Sequence, residues 1–310
     1  MKKKLLVTSY QNPDLDGTAC AIGYAELLNL KNKDAIAAVF GTVHREAQYV
    51  LKTFNIPNPV DANEAITEYS NIILVDASDT HGISSKINPN QVVEIIDHRK
   101  IHEADMFPNA HIQIELVGSA ATLIAEKFFT EKFIISQNAS VLLYSAIVSN
   151  TINFQADVTT NRDIKMAEWL LSKLKLPQNY IHNMFFDKSL ITVPLLQVFE
   201  HDFAIVTFTD KHIGIMQLEI ISVQDFLAKH SKEIHDALRI IKSEKKLDYI
   251  FLTAIDLEKA TNTFVVIDYD TQKLVEESLH VTFKNSVAHK EGIIMRKSIT
   301  PLIKETIEYR

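Results

Sequence analysis

Short apolar runs alternate with amphipathic segments along the first half of the chain. The runs have the length of buried strands, and the longer segments place apolar residues three to four positions apart, which is typical of helices. The predicted strands are residues 5–10, 35–40, 71–75 and 91–96, and the predicted helices are residues 17–30, 45–54, 118–129, 139–149 and 162–174. Strands that alternate with helices predict an α/β fold with a doubly wound parallel sheet.

The pattern changes after residue 187. Residues 203–208 and 212–219 predict two strands joined by a tight turn, which is typical of an antiparallel hairpin. Residues 223–243 predict a long helix, and residues 249–254 and 264–267 predict two more strands. We therefore predict an α/β domain at residues 1–188 and a smaller, mixed-sheet α+β domain at residues 193–310.

Composition limits the class of protein. The 310 residues are 46% apolar and 23% charged, which is typical of globular domains. The net charge of −7 gives no overall attraction for a nucleic acid polymer, although short oligonucleotides stay among the candidate ligands. The apolar runs are too short to predict a signal peptide or a membrane span. The single cysteine, Cys20, allows no intramolecular disulfide, and we expect it to fill the core of a cytoplasmic protein.

Acidic residues follow three of the predicted strands at the same end. Asp14 and Asp16 come after the first strand, Asp76 ends the third, and Asp97 and His98 end the fourth. Open parallel sheets bind ligands at the carboxyl ends of their strands, and clustered acids repel one another unless a cation neutralises them. The pattern predicts a divalent-metal site formed by Asp14, Asp16, Asp76 and His98, with Asp97 orienting the histidine. The alternative is that these acids cap the following helices.

Six short segments carry a more specific signal. They are QNPDLD at residues 11–16, VD at 75–76, IDHRKI at 96–101, VGSAAT at 117–122, SAIVSNT at 145–151 and KEGIIMRK at 290–297, the last followed by Pro301. In this order they resemble segments of the DHH phosphoesterase superfamily and, within it, of the family II manganese-dependent inorganic pyrophosphatases. The resemblance covers essentially the whole chain. It implies a two-domain enzyme with a two-metal site in the first domain, and it makes a homodimer an expectation.

The resemblance also implies a role for individual residues. Asp76 would bridge the two metal ions, Asp14 would bind one of them, and Asp16 and His98 would bind the other. Asp76 and His98 are the expected catalytic residues, because a metal-activated water attacks phosphorus in such sites.

Basic residues of both predicted domains would bind the substrate, which is expected to be pyrophosphate or another small phosphorylated compound. The resemblance implies that Arg296 and Lys297 hold the departing phosphate. Without the resemblance, these two residues would be interpreted as surface cations near a C-terminal helix.

The chain departs from the family pattern at functional positions. Tyr10 stands where the family has a metal-binding histidine, and a phenol with a pKa of about 10 is a poor ligand. Asn150 replaces a metal-binding aspartate, which keeps an oxygen atom but removes a negative charge. Arg99 replaces the second histidine of the Asp-His-His signature, so it can bind phosphate but cannot act as an acid or a base. Ala204 and Met295 fall where the family has a substrate lysine and a serine.

These departures predict one bound Mn²⁺, Mg²⁺ or Co²⁺ rather than two, and they leave two functions open. The chain either hydrolyses a phosphoanhydride or phosphoester with an altered substrate preference, or is a catalytically impaired relative that binds a phosphate metabolite or a partner protein. His44 and His81 lie on loops near the predicted site. We expect both to be solvated, and a position next to a metal would make either one a replacement ligand.

Overall fold

The structure is a computed structural model in which the described residues are 4–100, 102–201 and 203–309. They form two compact units, the first comprising residues 4–154 and 158–187 and the second residues 155–157 and 188–309. Residues 1–3 and 310, at the outer ends of the predicted domains, and Ile101 of the IDHRKI segment lie outside the described residues. The sequence gives no sign that residues 155–157 belong with the second unit, where Ala156 forms an isolated bridge with Ile293.

The first unit contains a six-stranded sheet in which every pairing is parallel. Its strands are β1 (Lys4–Thr8), β2 (Asp34–Val39), β3 (Val60–Asp61), β4 (Asn71–Val75), β5 (Val92–Asp97) and β6 (His111–Ile114), in the order β3-β2-β1-β4-β5-β6. Its helices are α1 (Leu15–Leu30), α2 (Arg45–Thr53), α3 (Ala62–Ala65), α4 (Ala120–Glu131), α5 (Gln137–Asn150), α6 (Asn161–Leu171) and α7 (Tyr180–Lys188). The predicted doubly wound α/β fold class is confirmed.

The order of the strands fixes where a ligand site can form. From β1 the chain winds outward through β2 and β3, then returns to β4 on the other side of β1 and winds outward again. At such a reversal the loops after the two central strands diverge and open a crevice at their carboxyl ends. The loop after β1 carries Asp14 and Asp16, and Asp76 directly follows β4. The acids thus lie where this topology places its binding crevice.

The edge strands β3 and β6 were not predicted from the sequence. β3 has only two residues, and β6 is exposed or half-buried along its whole length, so neither shows the apolar run that marks a buried strand. The central strands β1 and β4 are buried at all but their first residue, which explains why their apolar runs were informative.

The second unit contains a mixed sheet of five strands. Its elements are α8 (Leu195–His201), β7 (Phe203–Phe208), β8 (Lys211–Ile220), α9 (Val223–Glu244), β9 (Tyr249–Asp256), β10 (Thr261–Val266), α10 (Tyr269–Leu279), β11 (Val287–Glu291) and α11 (Arg296–Glu308), with the sheet order β11-β10-β9-β8-β7. β8 and β9 pair in parallel and the other neighbours are antiparallel, including the predicted hairpin of β7 and β8. The mixed α+β prediction is confirmed. None of the described helices is long and apolar enough to cross a membrane.

Candidate metal centre

Asp16 is fully buried in the first turn of α1 and accepts hydrogen bonds at both carboxylate oxygens. Oδ1 accepts from Ser119 Oγ and Ala121 N, both at 2.9 Å, and Oδ2 accepts from Ala120 N at 2.8 Å and Asn150 Nδ2 at 2.6 Å. Ala120 and Ala121 begin α4, so the carboxylate lies at a helix N-terminus, where unpaired N–H groups favour negative charge. Burial nevertheless raises the pKa of Asp16 above its ordinary value. The hydrogen bonds fix the position of the Asp16 carboxylate, whereas burial makes its charged form less favourable.

Asp76 begins the loop after β4 and is also buried. Its N–H donates to Ile96 O at 2.8 Å, and its φ of 53° lies in the left-handed region, which aspartate tolerates better than most residues. Burial and the negative charge of Asp16 raise the pKa of Asp76 to about 8. Two acids in this arrangement repel each other unless a cation lies between them.

His98 directs one ring nitrogen at both acids. Its Nδ1 lies 2.9 Å from Val117 O, and because a carbonyl only accepts, Nδ1 carries the hydrogen. Nε2 is 3.4 Å from Asp76 Oδ1 and 3.8 Å from Asp16 Oδ2. Burial alone would lower the pKa of His98, but the hydrogen bond with Asp76 and the two negative charges raise it to about 9. Loss of the Nε2 proton would give the tautomer that binds metals through Nε2.

Three of the four predicted ligands meet in one group. Ligand atoms of Asp16, Asp76 and His98 all lie within 4.8 Å of one another, and this is the group of potential metal ligands found among residues 4–100, 102–201 and 203–309. Two carboxylates and an imidazole are a donor set that suits Mn²⁺ and related divalent ions. The residues therefore fit a divalent ion.

Comparisons with known proteins agree with this architecture. Residues 4–147 match the model of the DHH family, N-terminal domain, and residues 187–306 match the model of the DHHA2 domain. In both units the chain resembles the DHH superfamily. Manganese-dependent inorganic pyrophosphatases of Methanothrix thermoacetophila and Bacillus subtilis are 29% and 27% identical to it, over 97% and 98% of this chain and 98% and 99% of theirs. A solved structure from Methanococcus jannaschii, assigned to the family II inorganic pyrophosphatases, is 25% identical with a TM-score of 0.76, covering 98% of this chain and 99% of that one.

Asp14, the fourth predicted ligand, caps α1 of the DHH domain. Its Oδ1 accepts from Gly17 N at 3.0 Å, as the capping alternative predicts, and its atoms are not part of the three-residue group. Its negative charge still contributes to the raised pKa values of Asp16 and Asp76, so it lies close to both.

Tyr10 and Asn150 each form a hydrogen bond with a residue of the predicted ligand group. The Tyr10 hydroxyl accepts from Asp14 N at 3.2 Å, and burial and the charge of Asp14 raise its pKa, so the phenol stays neutral. Asn150 uses its amide nitrogen to hold Asp16. Neither side chain presents a negative charge to the centre.

The remaining predicted residues lie at several places in the DHH and DHHA2 units. His44 is an exposed residue at the start of α2, and the His81 side chain is 85% exposed and lies 3.4 Å from Glu103, so both stay outside the three-residue group. Arg296 and Lys297 begin α11 of the DHHA2 unit, where Arg296 N donates to Gln217 Oε1 at 2.7 Å.

Two groups that hold the residues of the centre were not predicted from the sequence. They are the backbone oxygen of Val117 and the side chain of Asp79. Asp97 was expected to orient His98 and does accept from His98 N at 2.6 Å, but the ring nitrogen is oriented by the carbonyl of Val117. Asp79, four residues from the end of β4, accepts from Arg99 Nη1 at 3.0 Å. A backbone carbonyl leaves no signal in a sequence, and Asp79 in the segment Ala77-Ser78-Asp79-Thr80 looks like an ordinary loop acid.

Proposed function

We propose that this chain is a divalent-metal-dependent phosphohydrolase of the inorganic pyrophosphatase type. The observation that carries the proposal is the convergence of Asp16, Asp76 and His98 at the crevice of the parallel sheet, with His98 Nε2 facing both acids. The similarity to manganese-dependent pyrophosphatases over nearly the full chain supports the same conclusion.

The centre would hold one ion, Mn²⁺, Mg²⁺ or Co²⁺, on Asp16, Asp76 and His98, with Asp14 beside it. When bound, the ion supplies an activated water and neutralises charge on phosphoryl oxygen atoms. The protein contributes rigidity: the N-terminus of α4 fixes Asp16, and the carbonyl of Val117 fixes the ring of His98. A site held this way needs little reorganisation when the substrate arrives.

Basic residues would bind the substrate, a small phosphoanhydride or phosphoester. Arg99 is next to the centre, and Arg296 and Lys297 would supply positive charge from the DHHA2 unit to the departing phosphate. Because Arg99 replaces a group that can transfer protons, we expect the preferred substrate to have a leaving group that needs no proton from this position. Pyrophosphate with bound Mg²⁺ and short polyphosphates meet that condition.

The test is phosphate release from pyrophosphate, short polyphosphate and small nucleotides with Mn²⁺, Mg²⁺ or Co²⁺. Asp76→Asn is the negative variant, because asparagine tolerates the left-handed backbone at this position. Asp163→Asn is the matched control, since Asp163 is equally buried in the DHH unit but is held by Gly118, Thr122 and Thr160. We expect release by the wild type and by folded Asp163→Asn, and none by Asp76→Asn.

The alternative function, binding without catalysis, predicts a different result. It predicts manganese-dependent binding of pyrophosphate, measured by calorimetry, with no phosphate release from any substrate. If neither the wild type nor Asp76→Asn releases phosphate from any substrate, the hydrolase proposal is refuted.

A further inference from the structure

Arg99 is held in place by four groups of the DHH unit. Its Nη1 donates to Asp79 Oδ2 at 3.0 Å and its Nη2 donates to the backbone oxygen of Asp76 at 2.8 Å. Its Nε lies 3.7 Å from Asp97 Oδ2, and the centre of the guanidinium lies 5.5 Å from the centroid of the Tyr10 ring. Only 33% of the side chain is exposed. These contacts fix the position of the positively charged guanidinium of Arg99.

The surroundings of Arg99 keep it charged. Its Nη1 and Nε face the carboxylates of Asp79 and Asp97, and each of these negative charges favours the protonated guanidinium. The aromatic face of Tyr10 adds an attraction for a cation. No plausible pH removes this charge, because an arginine in water already titrates near pH 12 or above, about five units from neutrality.

The location of Arg99 links two of the departures from the family pattern. Tyr10 stands where the resembled family has a metal-binding histidine. Here the Tyr10 hydroxyl is bound to Asp14 N and its ring lies against the guanidinium, which in turn holds Asp76 by its backbone oxygen. The positive charge of Arg99 is thus next to Asp76, the residue that the resemblance implies as the bridge between two metal ions.

The total charge of the centre can be compared with that of the family pattern. Arginine in place of a neutral histidine adds one positive charge, and Asn150 in place of an aspartate removes one negative charge. The two changes together equal the charge of one divalent ion. A centre with one metal ion and Arg99 has the same total charge as the family pattern with two metal ions.

We propose that the guanidinium of Arg99 takes the place of one of the two metal ions, so that the centre binds a single divalent ion and carries its second positive charge in the protein itself. This inference rests on the proposed function for the identity of the site. It adds that Tyr10 and Arg99 act together, since the phenol that cannot bind a metal supports the cation that replaces it.

The test counts bound Mn²⁺ per chain, by elemental analysis after removal of free ions and by electron paramagnetic resonance. The latter distinguishes an isolated Mn²⁺ from two ions that interact magnetically. The first variant is Tyr10→His combined with Asn150→Asp, which restores both ligands and keeps the cation. The second, the triple variant, adds Arg99→His and so also removes the cation. Arg239→His, an exposed position on α9, is the matched control for the charge change.

We expect one isolated ion in the wild type, in Tyr10→His combined with Asn150→Asp and in Arg239→His, and two interacting ions in the triple variant. Two ions in the wild type or in the variant that keeps Arg99 would overturn the inference, and so would a single ion in a folded triple variant. Phosphate release measured on the same samples keeps the two proposals apart. One ion without release on any substrate contradicts the proposed function alone, whereas release with two ions contradicts this inference alone.

Discussion

Asp163 and Asp76 are both buried carboxylates of the DHH unit, but their surroundings differ. Asp163 accepts hydrogen bonds from Gly118 N at 2.9 Å, Thr122 Oγ1 at 2.5 Å, and Thr160 N and Oγ1, both at 2.7 Å. These donors are neutral, and they come from the start of α4 and from the cap of α6. Asp163 therefore ties two parts of the fold together.

Among the described residues, no comparable set of neutral donors contacts the carboxylate of Asp76. Its side chain faces His98 and shares the crevice with Asp16, and its pKa is raised to about 8 by burial and by that second acid. A buried acid surrounded by neutral donors stabilises the fold, whereas buried acids grouped around one point indicate a site for a cation. The comparison sets a structural role for Asp163 against the proposed functional role of Asp76 within the same unit, and the same substitution at the two positions tests it.

The largest effect is expected for catalysis in Asp76→Asn. Phosphate release should fall by more than about 100-fold, since changes to the outer partners of metal ligands alone typically cost about 10–100-fold. The thermal midpoint of the metal-free protein should not fall, because the substitution removes repulsion between two acids. Steady-state phosphate assays and thermal scans check both. If Asp76→Asn releases phosphate at the rate of the wild type, Asp76 is not part of the proposed site.

Asp163→Asn should keep phosphate release but lose stability. An amide nitrogen cannot accept the hydrogen bonds that Asp163 now receives, and each buried donor left unpaired costs about 1–3 kcal/mol, so we expect the DHH unit to lose about 2–4 kcal/mol. The single tryptophan, Trp169, lies in α6 and reports on this unit by its fluorescence during urea unfolding. A variant as stable as the wild type would show that Asp163 does not hold α4 and α6 together.

Manganese should stabilise the DHH unit only where the acid group is intact. A ligand at 100 times its dissociation constant stabilises the folded state by about 2.7 kcal/mol. We expect this shift in Trp169-detected unfolding for the wild type and for Asp163→Asn. Asp76→Asn should show none, and an equal shift in Asp76→Asn would indicate that manganese binds elsewhere.

The smallest effect is expected for Asn150→Asp. Asn150 now donates to Asp16, and an aspartate would replace this donor with a further negative charge. We expect the metal-free DHH unit to lose about 1–2 kcal/mol, a typical cost for a buried group that loses its partner. Added manganese should recover more stability in this variant than in the wild type. Equal recovery would show that position 150 is too far from the ion to contribute.

Much of the fold and part of the centre could be predicted from the sequence. Strands of a parallel sheet that is covered on both faces are mostly apolar, so the apolar runs of β1, β4 and β5 could be recognised. The acids at the carboxyl ends of these strands had to share one edge of the sheet. The predicted group of Asp14, Asp16, Asp76 and His98 follows from that geometry. Its details do not, because strand periodicity does not show that Asp14 caps α1.

Contacts between residues distant in the sequence account for what could not be predicted. Asp163 and Gly118 are 45 positions apart, and no local pattern connects them. The Arg99 substitution was recognised as a permanent cation, but its partners Asp79 and Tyr10 come from two other loops and become visible only in the folded chain. The contacts among these side chains are specified by the fold, whereas the strand ends that carry them are specified by local sequence.

The central claim is that the group of Asp16, Asp76 and His98 binds the divalent ion. Calorimetric titration of Mn²⁺ into the metal-free wild type, Asp76→Asn and Asp163→Asn tests it most directly. We predict one binding event per chain in the wild type and in folded Asp163→Asn, and no measurable binding in Asp76→Asn. Binding to Asp76→Asn with the affinity of the wild type would contradict the account.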